Sequence, residues 1–323
     1  MSSTRPLARS LSSLGKPKAL QQGDTLAVFA PASPAEKKSC AAGLAELRRM
    51  KFGISATDNR LLSSEGYFAA SLEERRQEFL DALAAEKVAG LVALRGGYGS
   101  TYLLEEALAQ KVREPKVLIG FSDLTSLQIF LWQRASWVTF YGPMVAAGFA
   151  AGAGKPGGYD EQSFQSAVSN GEPDCTISLR GEALVHGTAE GRLLGGAMTL
   201  VEATFGTPWE LDTRGAILLL EDRAMKPYQV DRVLMHFLQA GKLEHVQGIV
   251  LGDFPECAPP VIGSPTVREV CARILGPLGV PVVFGAPVGH TARPMLTIPL
   301  GVKARLVAQG DGSLELLEAA VTR

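Results

Sequence analysis

Short apolar runs alternate with longer amphipathic runs along the first half of the chain, and this alternation restricts the folds that the chain can adopt. From residue 24 the order is DTLAVFA, PAEKKSCAAGLAELRRM, KFGISA, SLEERRQEFLDALAAEK and VAGLVAL. The apolar runs have the length of strands, and the longer runs have helical spacing. Strands that alternate with helices are typical of βα units around a parallel sheet. We therefore predict a Rossmann-like α/β domain with a largely parallel sheet in the first half.

The length of the chain favours two domains. It has 323 residues, whereas single domains commonly have about 100 to 200 residues. A segment crowded with glycine, alanine and proline, which interrupt regular elements, lies between Gly142 and Asp160. The second half mixes short strands with helices and indicates a smaller mixed α/β domain. We predict a flexible N-terminal segment, a first domain, a linker and a second domain at residues 1–20, 21–148, 149–178 and 179–323.

Charge and hydropathy argue against several classes of partner. Lysine and arginine number 32 against 33 acidic residues, and no dense basic run with interleaved aromatics is present, so nucleic acid is not expected as a partner. The first 20 residues lack the apolar stretch of a signal peptide. No segment reaches the roughly 18 apolar residues of a membrane span. We expect a cytoplasmic protein that binds neither nucleic acid nor membrane.

Neither the cysteines nor most of the histidines form a metal-binding pattern. The cysteines are scattered, with no CxxC pair: Cys40, Cys175, Cys257 and Cys271. Three of the histidines do not belong to an HExxH or similar motif: His186, His236 and His245. We expect reduced structural thiols, no metal and no cofactor.

Ser122 lies at a sharp strand-to-helix turn within KVLIGFSDLTSLQIFLW. The apolar positions Leu124, Leu127, Phe130 and Leu131 follow helical spacing, so a helix is predicted just after the serine. A hydroxyl at such a turn is exposed at the carboxyl end of the sheet, beside N–H groups that can stabilise an oxyanion. Serine is also a preferred helix N-cap, and the second glycine of GxSxG is missing. On this segment alone, a nucleophile and a helix cap are both open.

The run Gly96, Gly97, Tyr98 and Gly99 follows one predicted strand and precedes a predicted helix. Glycines permit dihedrals that direct consecutive N–H groups toward an anion, so this loop could supply a second oxyanion donor beside Ser122. The run lacks GK[ST] and does not complete GxGxxG, so it is not a phosphate-binding loop of either type. A tight structural turn is an equal alternative.

Two further candidates follow strand-like runs in the second half. The strand GAILLL delivers Glu221, and VPVVFGAPVGH leads to His290. A carboxylate at a strand end can orient a histidine, but it could equally pair with Arg223 or Arg232, and an isolated loop histidine is usually polar surface. Open α/β sheets collect catalytic groups at the carboxyl ends of their strands, so Ser122 and these two residues are more persuasive together.

The motifs GGYG, GFSD, LLLED and PVGH, in this order and at these separations, resemble those of the bacterial LD-carboxypeptidases, relatives of the microcin C self-immunity peptidases. The resemblance extends from APASP at Ala30–Pro34 to the region after His290. It implies an N-terminal α/β domain that carries the nucleophile and a C-terminal domain that carries the acid and the histidine. The active site would lie between them, and the protein would be a homodimer.

By this resemblance, Ser122 of GFSD is the nucleophile, Glu221 of LLLED supports the base, and His290 of PVGH is the general base. The backbone N–H groups of Asp123 and Gly97 match the oxyanion donors of the family. The resemblance therefore implies a Ser-His-Glu triad that needs no metal and no cofactor.

Fewer sequence features indicate which residues bind the substrate. Gly96 and Tyr98 are expected to line the substrate site. Arg95 beside them and a nest of backbone N–H groups are both candidate partners for the free carboxylate that a carboxypeptidase must recognise. The segment GRLLGGAMTL departs from the family, because it has Ala197 and Met198 where many relatives carry Asn and a small aliphatic residue. This departure affects the expected substrate contacts more than the triad.

The resemblance implies a serine carboxypeptidase that removes the terminal D-alanine of cytoplasmic murein tetrapeptides during cell-wall recycling. An immunity-type peptidase that cleaves aminoacyl-nucleotide conjugates with the same triad is the near alternative. A non-catalytic α/β protein that binds phosphate or sugar at its helix N-termini is an alternative of another class. That alternative leaves the joint presence of the serine, the glutamate and the histidine unexplained.

Overall fold

The computed structural model describes four stretches of the chain: residues 14–55, 63–105, 114–173 and 175–323. Most of the predicted flexible N-terminal segment, residues 1–13, lies outside them. The described strands form two sheets, one of six strands and one of eight. The predicted α/β class is confirmed. Among the helices of the described stretches, none combines the length and the apolar character needed to cross a bilayer.

The first sheet is mostly parallel. Its strands are β1 (Thr25–Phe29), β2 (Gly53–Ser55), β3 (Val88–Ala93), β4 (Val117–Gly120), β5 (Thr139–Tyr141) and β12 (Ile298–Leu300). Their order is β12-β5-β4-β3-β1-β2. The strands β1 to β5 pair in parallel, as the alternating pattern predicts, whereas β12 pairs antiparallel with β5. A strand from the second half of the chain therefore completes the first sheet.

The second sheet is mixed. Its strands are β6 (Thr176–Ser178), β7 (Glu182–Val185), β8 (Gly187–Ala197), β9 (Ala216–Glu221), β10 (Gly248–Gly252), β11 (Val282–Ala286), β13 (Lys303–Ala308) and β14 (Ser313–Leu316). Their order is β6-β14-β13-β8-β9-β10-β11-β7. The central strands β8 to β11 are parallel, and the outer strands pair antiparallel.

Helices connect and cover the strands. They are α1 (Lys37–Arg49), α2 (Leu72–Ala84), α3 (Leu124–Ala135), α4 (Glu161–Ser169), α5 (Met198–Glu202), α6 (Pro227–Gln239) and α7 (Val267–Leu275). Short 3-10 turns span Ser100–Leu103 and Gly276–Leu278. Capping boxes start α2 at Ser71 and α7 at Thr266, where the hydroxyl accepts from the N–H three residues on.

Alternation along β9 determines which of its side chains faces the first sheet. Ile217 and Leu219 belong to the apolar cluster that includes the core of the first sheet. Leu218 and Leu220 point to the other face and pack with α6 and α7. Since successive side chains of a strand point to opposite faces, Glu221 shares the face of Ile217 and Leu219. The last residue of β9 therefore points toward the first sheet.

The predicted domain boundaries remain a prediction. The proposed linker, residues 149–178, contains α4 and β6. In the described part of the N-terminal segment, Gly15 forms an isolated β-bridge with Trp137, and Lys18 forms one with Thr322. These contacts, together with β12, join distant parts of the chain.

The substitution Ile298→Ala tests the contribution of β12. Ile298 is fully buried, so the truncation leaves a cavity in the core. We expect a loss of about 2 to 5 kcal/mol in the free energy of unfolding, measured by urea titration. The control Val261→Ala changes a side chain that is 66% exposed, and it should alter this free energy by less than about 0.5 kcal/mol. Equal unfolding midpoints for the two variants would contradict this role of β12.

Candidate active site

Ser122 lies on a strained turn between β4 and α3. Its φ of 61° is left-handed, a conformation that costs a residue other than glycine about 1 to 3 kcal/mol. A Cβ at Gly120 would lie 2.8 Å from Leu124 Cγ, so the turn requires glycine there. Helix α3 begins after Asp123 without a side-chain cap. The helix-capping alternative for the Ser122 hydroxyl is therefore wrong.

The GGYG loop lies against this turn. A Cβ at Gly96 would be 3.0 Å from Ser122 Cβ and 3.1 Å from Ser122 Oγ. Gly97 has a φ of +109°, and a Cβ there would lie 2.3 Å from Ser33 Oγ. The loop is held further by Ser100, whose N–H donates to Asp123 Oδ2 over 2.7 Å. The absence of a side chain at Gly96 thus lets the loop pack against Ser122, and its absence at Gly97 lets the loop pack against Ser33.

Three backbone N–H groups near the serine differ in their partners. The Ser122 N–H donates to the phenol oxygen of Tyr141 at 3.2 Å. The N–H groups of Asp123 and Gly97 donate to no carbonyl of the residues that the structure describes. Asp123 N lies 3.4 Å from the Cβ position of Gly96, on the side of the loop. Asp123 and Gly97 are therefore the available donors at this point.

The side chain of Asp123 serves a different purpose from its N–H. Burial raises the pKa of its carboxyl, while hydrogen bonds from Ser100 and Gly99 and the charge of Arg75 act in the opposite direction. Through these hydrogen bonds, the Asp123 carboxyl holds the end of the GGYG loop in place.

Glu221 is completely buried at the end of β9. Its Oε1 accepts a hydrogen bond from the Tyr141 hydroxyl at 2.5 Å, and its Oε2 accepts from the backbone N–H of His290 at 3.0 Å. Two glycines make space for it: a Cβ at Gly252 would lie 2.5 Å from Glu221 Cβ, and one at Gly289 would lie 2.3 Å from Glu221 Cδ. The carboxylate is therefore enclosed by donors and by glycine backbone.

His290 is oriented by this carboxylate. Its Nδ1 lies 2.9 Å from Glu221 Oε2 and 3.2 Å from Oε1. The ring of Phe121, beside Ser122, contacts the imidazole edge-on with centroids 5.1 Å apart. Because Nδ1 faces the acid, Nε2 lies on the other side of the ring and is free to exchange protons with a reacting group. The structure thus brings Glu221 and His290 into direct contact near the Ser122 turn.

The arginines considered as partners of Glu221 lie elsewhere. Arg223 pairs with Glu256, and Arg232 stacks on the ring of Tyr228 at 6.0 Å. The alternative that Glu221 forms an ion pair with either arginine is therefore wrong.

Two of the three predicted substrate residues, Arg95 and Tyr98, are exposed, whereas Gly96 is buried against the Ser122 turn. Arg95 is exposed, and its Nη1 donates to the carbonyl of Pro34 at 2.8 Å. Tyr98 is 44% exposed, and its ring contacts those of Tyr67 and Tyr102, each at 5.9 Å. Arg95 and Tyr98 therefore offer an exposed guanidinium and an exposed aromatic surface at the GGYG loop.

The segment that departs from the family pattern contacts helix α3. The Ala197 N–H donates to Thr125 Oγ1 at 2.9 Å, and Met198 is fully buried at the start of α5. A Cβ at Gly196 would lie 2.5 Å from the same Thr125 oxygen. These residues join β8 to the helix that follows the serine.

Sequence reasoning missed Tyr141, which contacts both Ser122 and Glu221. It lies in the apolar strand WVTFYG, and a tyrosine in such a run is usually a packing residue. Its place at the carboxyl end of a strand was the only available signal. Within the described stretches, no group of three or more acidic, histidine or cysteine side chains is arranged to hold a metal ion.

Comparison with known proteins identifies similar sequences over most of the chain. The model of the LD-carboxypeptidase N-terminal domain matches residues 26–142, and that of the LD-carboxypeptidase C-terminal domain matches residues 190–306. The chain is 33% identical over 294 residues to the probable murein peptide carboxypeptidase of Bacillus subtilis (strain 168), with 90% of this chain and 91% of the relative covered. The match therefore includes both halves.

Two further proteins are similar over nearly their whole length. The crystal structure of the muramoyltetrapeptide carboxypeptidase from Oxalobacter formigenes has a TM-score of 0.79 and 27% identity, and it covers 93% of this chain and 100% of that one. The microcin C7 self-immunity protein of Escherichia coli is 27% identical, over 88% of this chain and 90% of the relative.

The substitution Gly289→Ala tests the position of the carboxylate. Its Cβ would displace Glu221 from His290, so we expect the rate at which a fluorophosphonate probe labels Ser122 to fall by about 100-fold or more. The matched control is Gly285→Ala: Gly285 also has a positive φ, of +81°, but open space around its Cβ. It should suffer only the backbone strain and keep its labelling rate. Equal rates for the two variants would show that the Glu221 contact does not matter.

Proposed function

The chain belongs to the LD-carboxypeptidase family, and from this membership we propose that it is a serine carboxypeptidase with the triad Ser122, His290 and Glu221. Its proposed reaction is hydrolysis of the bond between the L-centre of a diamino acid and the terminal D-alanine of a murein tetrapeptide. The family resemblance given by the four motifs is confirmed. The triad and this substrate are our proposal.

One observation supports the triad above the others: a buried carboxylate orients the histidine and is joined through the Tyr141 hydroxyl to the backbone of a strained serine. Glu221 is fully buried and lies 2.9 Å from His290 Nδ1. Ser122 has the left-handed backbone of a strand-to-helix nucleophile turn. Three such features in one place have a chemical use in acyl transfer. A binding protein would have no need of them.

In the proposed mechanism, His290 Nε2 takes the proton of the Ser122 hydroxyl as the oxygen attacks the scissile carbonyl carbon. Glu221 holds the Nδ1–H tautomer and stabilises the imidazolium that forms. The carbonyl oxygen gains negative charge and receives hydrogen bonds from the N–H groups of Asp123 and Gly97. Loss of one such donor typically costs about 100 to 1000-fold in turnover.

The tetrahedral intermediate collapses when His290 gives its proton to the nitrogen of the leaving D-alanine. The C–N bond breaks, and the shortened peptide remains as an ester on Ser122. Water then attacks this ester with His290 as the base, which releases the peptide acid and restores the hydroxyl. No step requires a redox partner or a cofactor.

On the substrate side, we propose that Arg95 binds the terminal carboxylate and that Gly96 and Tyr98 line the site. The exposure of Arg95 beside the loop supports this assignment. An arginine fork matches a carboxylate geometrically. Cleavage of a cytoplasmic recycling peptide by a homodimer is the setting that the family resemblance suggests.

A second candidate is a peptidase that confers immunity by cleaving aminoacyl-nucleotide conjugates. It is favoured by the 27% identity to the microcin C7 self-immunity protein of Escherichia coli. The higher identity to the murein peptide carboxypeptidase places this candidate second. Cleavage of a microcin-like conjugate, without cleavage of the tetrapeptide, would select it.

The first test is mass spectrometry of products from a murein tetrapeptide that ends in D-alanine. The wild type should release that D-alanine alone, and Ser122→Ala should lose at least about 1000-fold of the rate. The control Ser136→Ala alters another serine with positive φ, at the other end of α3, and should stay active. Full activity of Ser122→Ala would rule out the proposed nucleophile.

The substitution Arg95→Ala tests carboxylate recognition. We expect KM for the tetrapeptide acid to rise about 10 to 100-fold, because a charge-assisted hydrogen bond contributes roughly 1.5 to 3 kcal/mol. The corresponding peptide amide lacks the negative charge, so its KM should change little. The control Arg48→Ala removes an exposed arginine from the end of α1 and should leave the KM of the acid and of the amide unchanged. A uniform rise for acid and amide would assign Arg95 a structural role instead.

A further inference from the structure

The Tyr141 hydroxyl lies where the nucleophile turn and the buried acid meet. The residue is fully buried at the end of β5. Its oxygen accepts the Ser122 N–H at 3.2 Å, and its proton is donated to Glu221 Oε1 at 2.5 Å. The Thr125 hydroxyl is a further hydrogen-bonding neighbour of the phenol. One side chain thus contacts the backbone of the serine and the carboxylate of the acid.

The chemistry of the phenol determines the direction of these bonds. Burial, together with the neighbouring charge of Glu221, raises the pKa of Tyr141 well above its usual range, so the phenol stays protonated. A neutral phenol has one proton to donate and lone pairs that accept. Its proton therefore goes to Glu221, and the Ser122 N–H is directed to its lone pair.

Two consequences follow for the site. Because the Ser122 N–H is bound to Tyr141, it is not available to an oxyanion, which leaves that task to Asp123 and Gly97. Because the phenol binds Glu221 Oε1, the carboxylate is held with Oε2 as the nearer acceptor for the backbone N–H and the ring Nδ1 of His290.

The same phenol also joins the two sheets. Tyr141 and the Ser122 turn belong to the first sheet, and Glu221 ends β9 of the second. Between these parts, the hydroxyl provides a direct hydrogen bond that joins two fully buried side chains. Rotation of the carboxylate, or a shift of β9 relative to β5, would break this bond.

We propose that Tyr141 is a positioning residue, which sets the Glu221 carboxylate for His290 and holds the Ser122 backbone in register with them. This inference rests on the proposed serine peptidase function. It assigns Tyr141 no contact with substrate. Its effect should therefore appear in turnover and in the pH profile, and not in substrate binding.

The test is Tyr141→Phe in the full-length protein, assayed on the murein tetrapeptide. We expect kcat to fall about 10 to 100-fold with KM within about two-fold, since one hydrogen bond to a charged group is lost. Without the phenol, the Glu221 charge is less dispersed and stabilises the imidazolium more strongly. The acidic limb of the kcat/KM profile should therefore move to higher pH.

A matched control separates positioning from simple loss of a buried phenol. Tyr159 is also fully buried, and its hydroxyl donates to Glu46 Oε1 at 2.9 Å. Tyr159→Phe should lower the melting temperature by a similar amount and leave kcat and the pH profile unchanged. If the two variants have equal kcat and equal pH profiles, Tyr141 has no positioning role.

Two additional measurements remove ambiguity. Replacement of Tyr141 by 3-fluorotyrosine keeps the shape of the side chain and makes the phenol a stronger donor, so the acidic limb should move to lower pH. If the acidic limb of the kcat/KM profile does not move, the proposal is overturned even if Tyr141→Phe fails to fold.

The rate of Ser122 labelling by a fluorophosphonate should fall about 10 to 100-fold in Tyr141→Phe relative to Tyr159→Phe. This rate needs no peptide substrate, so a wrong substrate assignment is distinguished from a wrong role for Tyr141.

Discussion

The burial of the Glu221 carboxylate is the interaction on which the rest of this site depends. A charge with no exposed surface is costly unless donors surround it. Here the donors come from Tyr141 in the first sheet and from His290 in the second half of the chain. Satisfying this one carboxylate therefore fixes the histidine and brings β5 and β9 together. Glycine is required at positions 252 and 289, because any side chain there would meet Glu221.

Much of the fold could be predicted from local sequence patterns, because those patterns depend on neighbours in the chain. Alternating apolar and amphipathic runs indicated the parallel pairing of β1 to β5, and the second half was correctly predicted to be mixed. The pairing of β12 with β5 could not be predicted, since it joins Ile298–Leu300 to a strand about half the chain away. A three-residue apolar strand carries no signal of its distant partner.

The candidate site divides in the same way. Ser122, Glu221 and His290 each follow a strand-like run, and the motif resemblance identified them together. Tyr141 was missed because its polar atom is recognisable as functional only when both of its partners are in place. The alternation along β9 determines the face to which the Glu221 side chain points. The packing of one sheet on the other determines that Tyr141 becomes its partner. Local patterns contain the first kind of information and not the second.

The most direct test is a crystal structure of the protein after reaction with a fluorophosphonate, whose tetrahedral phosphorus imitates the intermediate of acyl transfer. Phosphorus should be bonded to Ser122 Oγ, with a phosphoryl oxygen within hydrogen-bond distance of the backbone nitrogens of Asp123 and Gly97. The Nδ1 atom of His290 should remain within hydrogen-bond distance of the Glu221 carboxylate. An adduct on another residue, or a phosphoryl oxygen bound to neither nitrogen, would contradict the proposed site.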